Sequence, residues 1–201
     1  MSSSHSASFH TGTPLAVALR KLLEELEVKL ALDTSLNVYI AGGMAVHLYT
    51  SDRPTGDVDA EFGGRIKIPN DLVVHVASDD GGPKTLYFDT NYNSTFALLH
   101  ENYQNDAVPV DLGLTHLKVY VLSALDLAVS KIARFAPHDQ ADIRSLVRAG
   151  LTTADDIEKR AQEALGGFVG GQAMLVANIR DAVALARTVE ATHSPTPPTP
   201  G

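Results

Sequence analysis

Apolar residues recur with a helical period at both ends of the chain, and shorter strand-like runs lie between them. Behind the capping pair Thr13-Pro14, apolar positions repeat at helical spacing to about Leu32, which predicts a first helix. Further helices are predicted at 44–49, 68–77, 123–136, 138–148, 153–165 and 172–191. Strand-like composition predicts strands at 36–41, 57–62, 85–91, 96–100, 108–112 and 118–122.

The order of these elements is mixed at first and then entirely helical, which predicts an α+β protein with an α/β-like N-terminal part. We expect a small mixed β-sheet core flanked by helices over 13–122. A C-terminal helical bundle over 123–191 is expected to pack on that core. The last segment, 192–201, is rich in proline and is expected to be disordered.

Composition narrows the classes of protein that this pattern can represent. The chain has 201 residues and 44% hydrophobic content, enough for one domain with a real core. No apolar run reaches the ~18 to 20 residues that cross a bilayer, and the first ten residues lack signal-peptide features. We therefore expect a cytoplasmic protein without a membrane partner. With no cysteine in the chain, any metal must be bound by oxygen or histidine ligands.

Charge restricts the partners further. A formal net charge of −8 argues against non-specific nucleic-acid binding, because phosphate affinity depends on Lys and Arg, so no DNA partner is expected. Only residues 112–150 carry more basic than acidic side chains, 5 against 3. That segment is the best candidate to meet a phosphate-bearing ligand. The histidines, His47 among them, show no metal-ligand spacing and are interpreted as structural.

The stretch from 41 to 61 carries the most specific chemistry. Gly42-Gly43 lies at a strand-to-helix turn, where glycine allows backbone N–H groups to approach a phosphate at a helix N-terminus. In the strand 57–62, polar and apolar residues alternate with period two, so Asp57, Asp59 and Glu61 are expected on one face. Neighbouring carboxylates of this kind suit a divalent cation. An Asp-x-Asp pair alone is also compatible with solvated carboxylates at a strand edge.

Taken together, these residues resemble a known family. Gly42-Gly43 followed by Arg53-x-Thr55-x-Asp57-Val-Asp59 resembles the signature of the polymerase-β-like nucleotidyltransferase superfamily. The sequence is most similar to the bacterial branch that includes abortive-infection toxins. The resemblance implies transfer of a nucleotidyl group from a nucleoside triphosphate, with Mg²⁺ or Mn²⁺ as cofactor. Asp57 and Asp59 are then the implied metal ligands.

A second motif extends the resemblance, which covers roughly 36 to 148. Lys131 and Arg134 are predicted on one face of the helix that begins at Ser123, where both could bind the triphosphate. A solvated pair on an amphipathic helix is the alternative. Asp139 and Asp142 resemble the aspartate pair that follows in these relatives, and we expect them to orient Lys131 or to cap the next helix. Arg53 and Thr55 are expected to shape the loop before Asp57, although Thr55 could also contact the nucleotide with Gly42 and Gly43.

The superfamily implies a third carboxylate, for which two residues are candidates. Asp89 follows an apolar run in the next expected strand and is the preferred general base and metal ligand. Asp111 is the alternative. Either residue could instead belong to a turn, Asp111 before Gly113 and Asp89 before Asn91. If neither faces Asp59, the protein could bind nucleotides without turning them over.

Three functions follow as alternatives. The first is a Mg²⁺-dependent nucleotidyltransferase acting on RNA (tRNA included), a protein or a small molecule; one form of it is the toxin of a pair with an antitoxin partner. The second is a non-catalytic nucleotide-binding or partner module of the same fold. The third is a metal-dependent glycosyltransferase in which Asp-x-Asp binds a nucleotide sugar, although the chain is short for that class.

Overall fold

The computed structural model describes residues 8–76, 84–168 and 171–193, and it confirms the predicted α+β class. The described helices are α1 Pro14–Lys29, α2 Gly42–Thr50, α3 Ala124–Ser130, α4 Pro137–Arg148, α5 Ala154–Gly167 and α6 Ala173–His193, with a 3₁₀ turn at Ser94–Phe96. The described strands are β1 Leu36–Ile40, β2 Asp57–Val58, β3 Ala60–Phe62, β4 Val73–Val76, β5 Lys84–Phe88, β6 Val108–Pro109 and β7 Leu117–Val121.

These elements fall into two compact units. The first contains the described residues up to Thr95 together with Asn102–Ser123, and therefore all seven described strands. The second contains Phe96–Glu101 and the described residues from Ala124 onward, including α3 to α6. Among the described residues, no helix is both long and apolar enough to cross a membrane. The Pro-rich tail predicted from 192 onward lies outside the described residues from 194.

Two small mixed sheets form the frame of the first unit. The four-stranded sheet has the order β3-β1-β7-β6, with β1 and β7 parallel and the two outer strands antiparallel to their neighbours. The three-stranded sheet has the order β2-β5-β4, with β2 parallel and β4 antiparallel to β5. The predicted single strand 57–62 is therefore divided, because β2 joins one sheet and β3 joins the other. The chain changes sheets at Asp59.

Helix α1 forms as its capping signal and leucine spacing predict. The Thr13 side chain accepts a hydrogen bond from the Ala16 backbone N–H at 3.1 Å, and Pro14 occupies the first turn. The buried face of the helix is almost entirely leucine and alanine. On its other side, the Glu27 carboxylate accepts backbone N–H bonds from residues 115–117 at the start of β7. These bonds join the C-terminal part of α1 to the sheet.

Two predicted elements of the first half are wrong. The helix expected at 68–77 is replaced by a turn, in which the Leu72 N–H bonds the Pro69 carbonyl at 3.2 Å, and by strand β4. Valines at 73, 74 and 76 favour the strand, because β-branched side chains restrict helical rotamers; residue 77 lies outside the described residues. The strand expected at 96–100 is also absent, and the segment after the 3₁₀ turn is irregular there. Phe96 is 80% exposed in that segment, whereas Leu98 is buried.

In the second unit, the single helix predicted over 123–136 is shorter than expected. Helix α3 ends at Ser130, and the next N–H groups, of Lys131 and Ile132, bond carbonyls only three residues back. Phe135 then has φ +50°, and Pro137 begins α4 instead of ending the earlier helix. Proline suits a first helical turn because that position needs no N–H partner. Lys131 and Arg134 thus lie in a turn and not on one helix face.

Candidate functional site

The site in the first unit begins with a close approach between Asp59 and Gly42. Gly42 is the first residue of α2 and has φ +60°, a conformation that glycine adopts without strain. A Cβ atom placed on Gly42 would lie 1.7 Å from Asp59 Oδ2. The carboxylate of Asp59 therefore occupies the space where any other residue would carry its side chain. The Asp59 backbone contributes as well, since its carbonyl accepts the Ala41 N–H at 2.9 Å.

Asp57 is held beside the same helix end through Thr55. The Thr55 hydroxyl donates to Asp57 Oδ1 at 2.6 Å and lies 3.1 Å from where Gly43 would carry a Cβ. The Arg53 guanidinium is also near, with Nη2 at 3.7 Å from that Cβ position. Asp57 and Asp59 are both half-buried. The structure thus brings together Gly42, Gly43, Arg53, Thr55, Asp57 and Asp59 at the N-terminal end of α2.

That end of α2 is electrostatically suited to negative charge. Its N-cap residue, Ala41, provides no side-chain hydrogen bond to the first turn. The partial positive charge of the helix N-terminus favours carboxylates and phosphates. The Asp59 carboxylate lies against Gly42, and the half-buried Arg53 guanidinium lies near Gly43.

The sheet register distinguishes the two candidates for the third carboxylate. Val58 pairs with Phe88 in the parallel β2–β5 ladder, and the Asp89 N–H continues the ladder to the Val58 carbonyl at 3.0 Å. Extended by one position, that register would set Asp89 opposite Asp59, although β2 itself ends at Val58 and the chain passes to the other sheet at Asp59. One oxygen of Asp89 also accepts the Asn91 N–H at 2.8 Å.

Asp111 lies elsewhere in the first unit. It follows β6, which is separated from β3 by β1 and β7, or three strand spacings of about 14 Å in total. Its Oδ1 accepts the Gly113 N–H at 2.9 Å, and Gly113 has φ +71°. Asp111 therefore has the geometry of a turn residue, but Asp89 makes the same kind of bond to Asn91, so this contact does not distinguish the two. Of the two candidates, the register favours Asp89.

Glu61 anchors a surrounding loop. One carboxylate oxygen of Glu61 accepts the Ser94 hydroxyl, and the other accepts the Tyr103 hydroxyl and the Gln104 amide, the latter at 3.3 Å. Ser94 and Tyr103 flank the segment that belongs to the second unit. Both carboxylate oxygens of Glu61 are thus used in these hydrogen bonds, although Glu61 shares the alternating pattern of Asp57 and Asp59.

Two tyrosines next to these carboxylates are held in their neutral form. Burial raises the pKa of Tyr92 far above its ordinary value, and the negative charges of Glu61 and Asp59 raise it further. Burial likewise raises the pKa of Tyr103, and its hydrogen bond to Glu61 acts in the same direction. Phenolate formation here would add a negative charge beside existing carboxylates, which is costly. Both hydroxyls therefore remain donors at neutral pH.

The second predicted motif lies in the second unit. Lys131 is 8% exposed, and its ammonium lies 3.1 Å from Asp142 Oδ2. The Arg134 guanidinium makes two hydrogen bonds of 2.8 Å to Asp139, and Asp139 also accepts the Ala136 N–H at the start of α4. Burial alone would raise the pKa of Asp139, but these hydrogen bonds and the nearby cations lower it overall. The role of Lys131 and Arg134 as nucleotide ligands stays a prediction.

Two further points concern this site: whether its side chains form a metal-binding group, and which of its residues the sequence did not indicate. Within the part of the chain that the structure describes, no group of three or more His, Asp or Glu side chains could hold a metal ion, so the predicted set of Asp57, Asp59 and Asp89 does not form such a group. Glu61 had a sequence signal, because it continues the alternation of Asp57 and Asp59. Tyr92, Ser94 and Tyr103 had none, since their contacts with the acidic strand cross about thirty to forty positions of irregular spacing.

Comparisons with known proteins bear on the whole arrangement. Residues 17–176 match the model of a family described as "Nucleotidyltransferase of unknown function (DUF6036)". The match includes both the Gly42 to Asp59 region and the Lys131 to Asp142 region. No curated protein and no solved structure matches the chain at a significant level.

Proposed function

Because the chain belongs to the DUF6036 family of nucleotidyltransferases of unknown function, we propose that it transfers a nucleotidyl group from a nucleoside triphosphate to a hydroxyl acceptor. The observation that carries the proposal is the placement of Asp59 against Gly42 at the start of α2. Nucleotidyl transfer requires a phosphate-binding backbone beside carboxylates that bind a metal. The start of α2 offers such a backbone, and the Asp57 and Asp59 carboxylates lie beside it.

The donor set fits Mg²⁺ with Asp57 and Asp59 as its protein ligands. Mg²⁺ is commonly bound by one or two carboxylates plus substrate phosphates, and not by a cage of protein side chains. When bound, the ion would neutralise phosphate charge and stabilise the leaving pyrophosphate.

The chain's own residues supply the remaining steps. The Gly42-Gly43 backbone at the start of α2 would bind the triphosphate, with the Arg53 guanidinium beside it. Asp89, next to Asp59 in register, would take the proton from the acceptor hydroxyl. The acceptor oxygen then forms a bond to the α-phosphorus, the bond from that phosphorus to the bridging oxygen breaks, and pyrophosphate leaves. Thr55 keeps Asp57 oriented through its 2.6 Å hydrogen bond.

One transfer assay tests the proposal. The protein is incubated with each α-³²P-labelled nucleoside triphosphate, Mg²⁺, and total RNA or total protein as acceptor. Wild type should transfer label, and Asp57→Asn with Asp59→Asn should reduce transfer by at least about 100-fold. Absence of transfer by wild type with every triphosphate and acceptor, together with nucleotide binding that survives the double substitution, overturns the proposal.

The third carboxylate is tested with a matched pair. Asp89→Asn should abolish most transfer, because it removes the proposed general base, which contributes about 10²- to 10⁴-fold. Asp111→Asn alters a carboxylate of the same unit that lies in a turn, and it should leave transfer unchanged. The opposite result would assign the base to Asp111.

A non-catalytic nucleotide-binding module remains the alternative function. The observation in its favour is that no three acidic or histidine side chains of the described residues form a metal group. It predicts nucleotide binding without label transfer in the same assay. The toxin function and its antitoxin partner extend the catalytic proposal, and they predict that expressing the wild-type chain, but not the Asp57→Asn variant, arrests bacterial growth.

A further inference from the structure

A buried histidine connects three segments of the first unit. His47 lies on α2 and is only 6% exposed. Its Nε2 is 2.8 Å from the Thr13 hydroxyl at the start of α1. Its Nδ1 is 2.9 Å from the backbone carbonyl of Arg53, in the loop that leads to Asp57. Both ring nitrogens are therefore hydrogen-bonded to other parts of the chain.

The partners determine which nitrogen of His47 carries the proton. A carbonyl oxygen can only accept, so Nδ1 must be the donor to Arg53. Burial is the largest influence on the pKa of His47 and lowers it, and the charge of His10 acts in the same direction. The hydrogen bond to Arg53 and the charge of Asp52 raise this pKa by a smaller amount. The ring is therefore neutral at pH 7. In the neutral ring, Nε2 accepts, and the Thr13 hydroxyl donates to it. The Thr13 oxygen in turn accepts the Ala16 N–H at 3.1 Å.

The bond to Arg53 holds the beginning of the loop that carries Asp57. Residues 51–56 form an irregular segment between α2 and β2. His47 holds this segment at Arg53, and the Gly56 carbonyl holds its other end by accepting the Tyr87 N–H at 3.3 Å. Thr55, between these two points, donates to the Asp57 carboxylate. A shift of the backbone at Arg53 would therefore also shift Thr55 and, through its hydrogen bond, the Asp57 carboxylate.

We propose that His47 is a positioning residue for Asp57, acting through its Nδ1–H bond to the Arg53 carbonyl. The proposal rests on the proposed function, because the orientation of Asp57 matters only if that carboxylate binds the metal. The bond to Thr13 has a different role, since it connects α2 to the cap of α1. Only the Nδ1 side of the ring faces the site loop.

Two substitutions separate these roles because each retains one of the two bonds. His47→Asn places an amide nitrogen near the position of Nδ1, so it can still donate to the Arg53 carbonyl. His47→Gln places its amide near the position of Nε2, so it retains the contact with Thr13 and loses the one with Arg53. Thr13→Val serves as a further control, because it removes the partner of Nε2 and leaves the Arg53 bond.

The experiment measures the order of the loop and label transfer on the same proteins. Hydrogen–deuterium exchange of peptides covering 51–57 should be at least about tenfold faster in His47→Gln, and close to wild type in His47→Asn and Thr13→Val. Transfer with α-³²P-ATP, or the triphosphate that wild type uses best, should fall at least about tenfold in His47→Gln alone, since small displacements of catalytic groups cost up to ~10²-fold.

Two outcomes overturn the inference, and a third separates it from the proposed function. If His47→Asn and His47→Gln change exchange and transfer equally, His47 acts only through general stability. If ¹H–¹⁵N spectra of wild type place the imidazole proton on Nε2, the Arg53 bond does not exist as described. If wild type transfers no label, the proposed function fails, while exchange and the imidazole spectrum still decide whether His47 holds the loop.

Discussion

Replacing Gly42 by alanine tests whether this glycine is required by the site as well as by its backbone conformation. At φ +60° an L-residue costs roughly 1–2 kcal/mol relative to glycine. The new Cβ would also lie 1.7 Å from Asp59 Oδ2, 2.6 Å from Cγ and 2.9 Å from Cβ. Separating it from Oδ2 to 3.0 Å requires a movement of at least 1.3 Å, which is 3.0 minus 1.7.

The structure offers a matched control at Gly113. It lies in the same unit with φ +71°, and among the described residues no atom beyond its own chain neighbours lies within 4 Å of a Cβ built on it. Gly113→Ala should therefore cost only the backbone term of about 1–2 kcal/mol. Gly42→Ala should cost that amount plus about 1–3 kcal/mol for forcing an atom into occupied space. Denaturant unfolding of both variants measures the difference.

Activity provides the second readout for Gly42→Ala. A carboxylate displaced by more than 1 Å should reduce label transfer by about 100-fold, whereas Gly113→Ala should retain wild-type transfer. A double-mutant cycle isolates the cause. In an Asp59→Ala background, which removes Oδ2 and Cγ, the added cost of Gly42→Ala should fall towards that of Gly113→Ala, with a remainder from the Asp59 Cβ at 2.9 Å. If Gly42→Ala costs no more than Gly113→Ala in wild type, the contact between Gly42 and Asp59 is not present.

Two further predictions concern titrating groups. Glu61→Gln should lower the pKa of Tyr103 towards its ordinary value, because it removes a charged acceptor. The rise in that pKa caused by burial should remain. An ultraviolet titration of the tyrosines that matches wild type would contradict this. Asp139→Asn should lower the free energy of unfolding by about 1.5–3 kcal/mol at pH 7. Because the pKa of Asp139 is lowered in the folded state, its contribution to stability is present above about pH 4 and is lost as pH falls through the folded pKa. If Asp139→Asn lowered the free energy of unfolding equally at pH 7 and pH 2, the result would contradict this.

Features that depend on neighbouring residues were predictable from the sequence. The Thr13-Pro14 cap, the leucine face of α1 and the glycine pair at the start of α2 each follow from local spacing. The Asp57 to Phe62 alternation correctly indicated extended chain. It could not show that the chain changes sheets at Asp59, because that depends on the positions of β1 and β5.

Other features depend on contacts that sequence spacing does not encode. His47 meets Thr13 across 34 positions, and Glu61 meets Tyr103 across 42. The break after Ser130 was missed for a local reason, since Ser123 and Asp126 signalled a helix start and the apolar spacing continued past the true end. Helix α3 ends in bonds to carbonyls three residues back, and the left-handed Phe135 and the proline at 137 mark where α4 begins. Long-range contacts thus explain why the partners of His47 and Glu61 were missed, and local backbone geometry explains why the break after Ser130 was missed.

The Gly42 position shows how fold and site requirements can be separated within one residue. A position that needs only a left-handed backbone can also use Asn, which adopts positive φ at small cost. Gly113, with open space around its Cα, has only that requirement. Gly42 has two, because the space beside its Cα contains the Asp59 carboxylate. The glycine at 42 therefore determines where a carboxylate lies, and not only how the chain turns into α2.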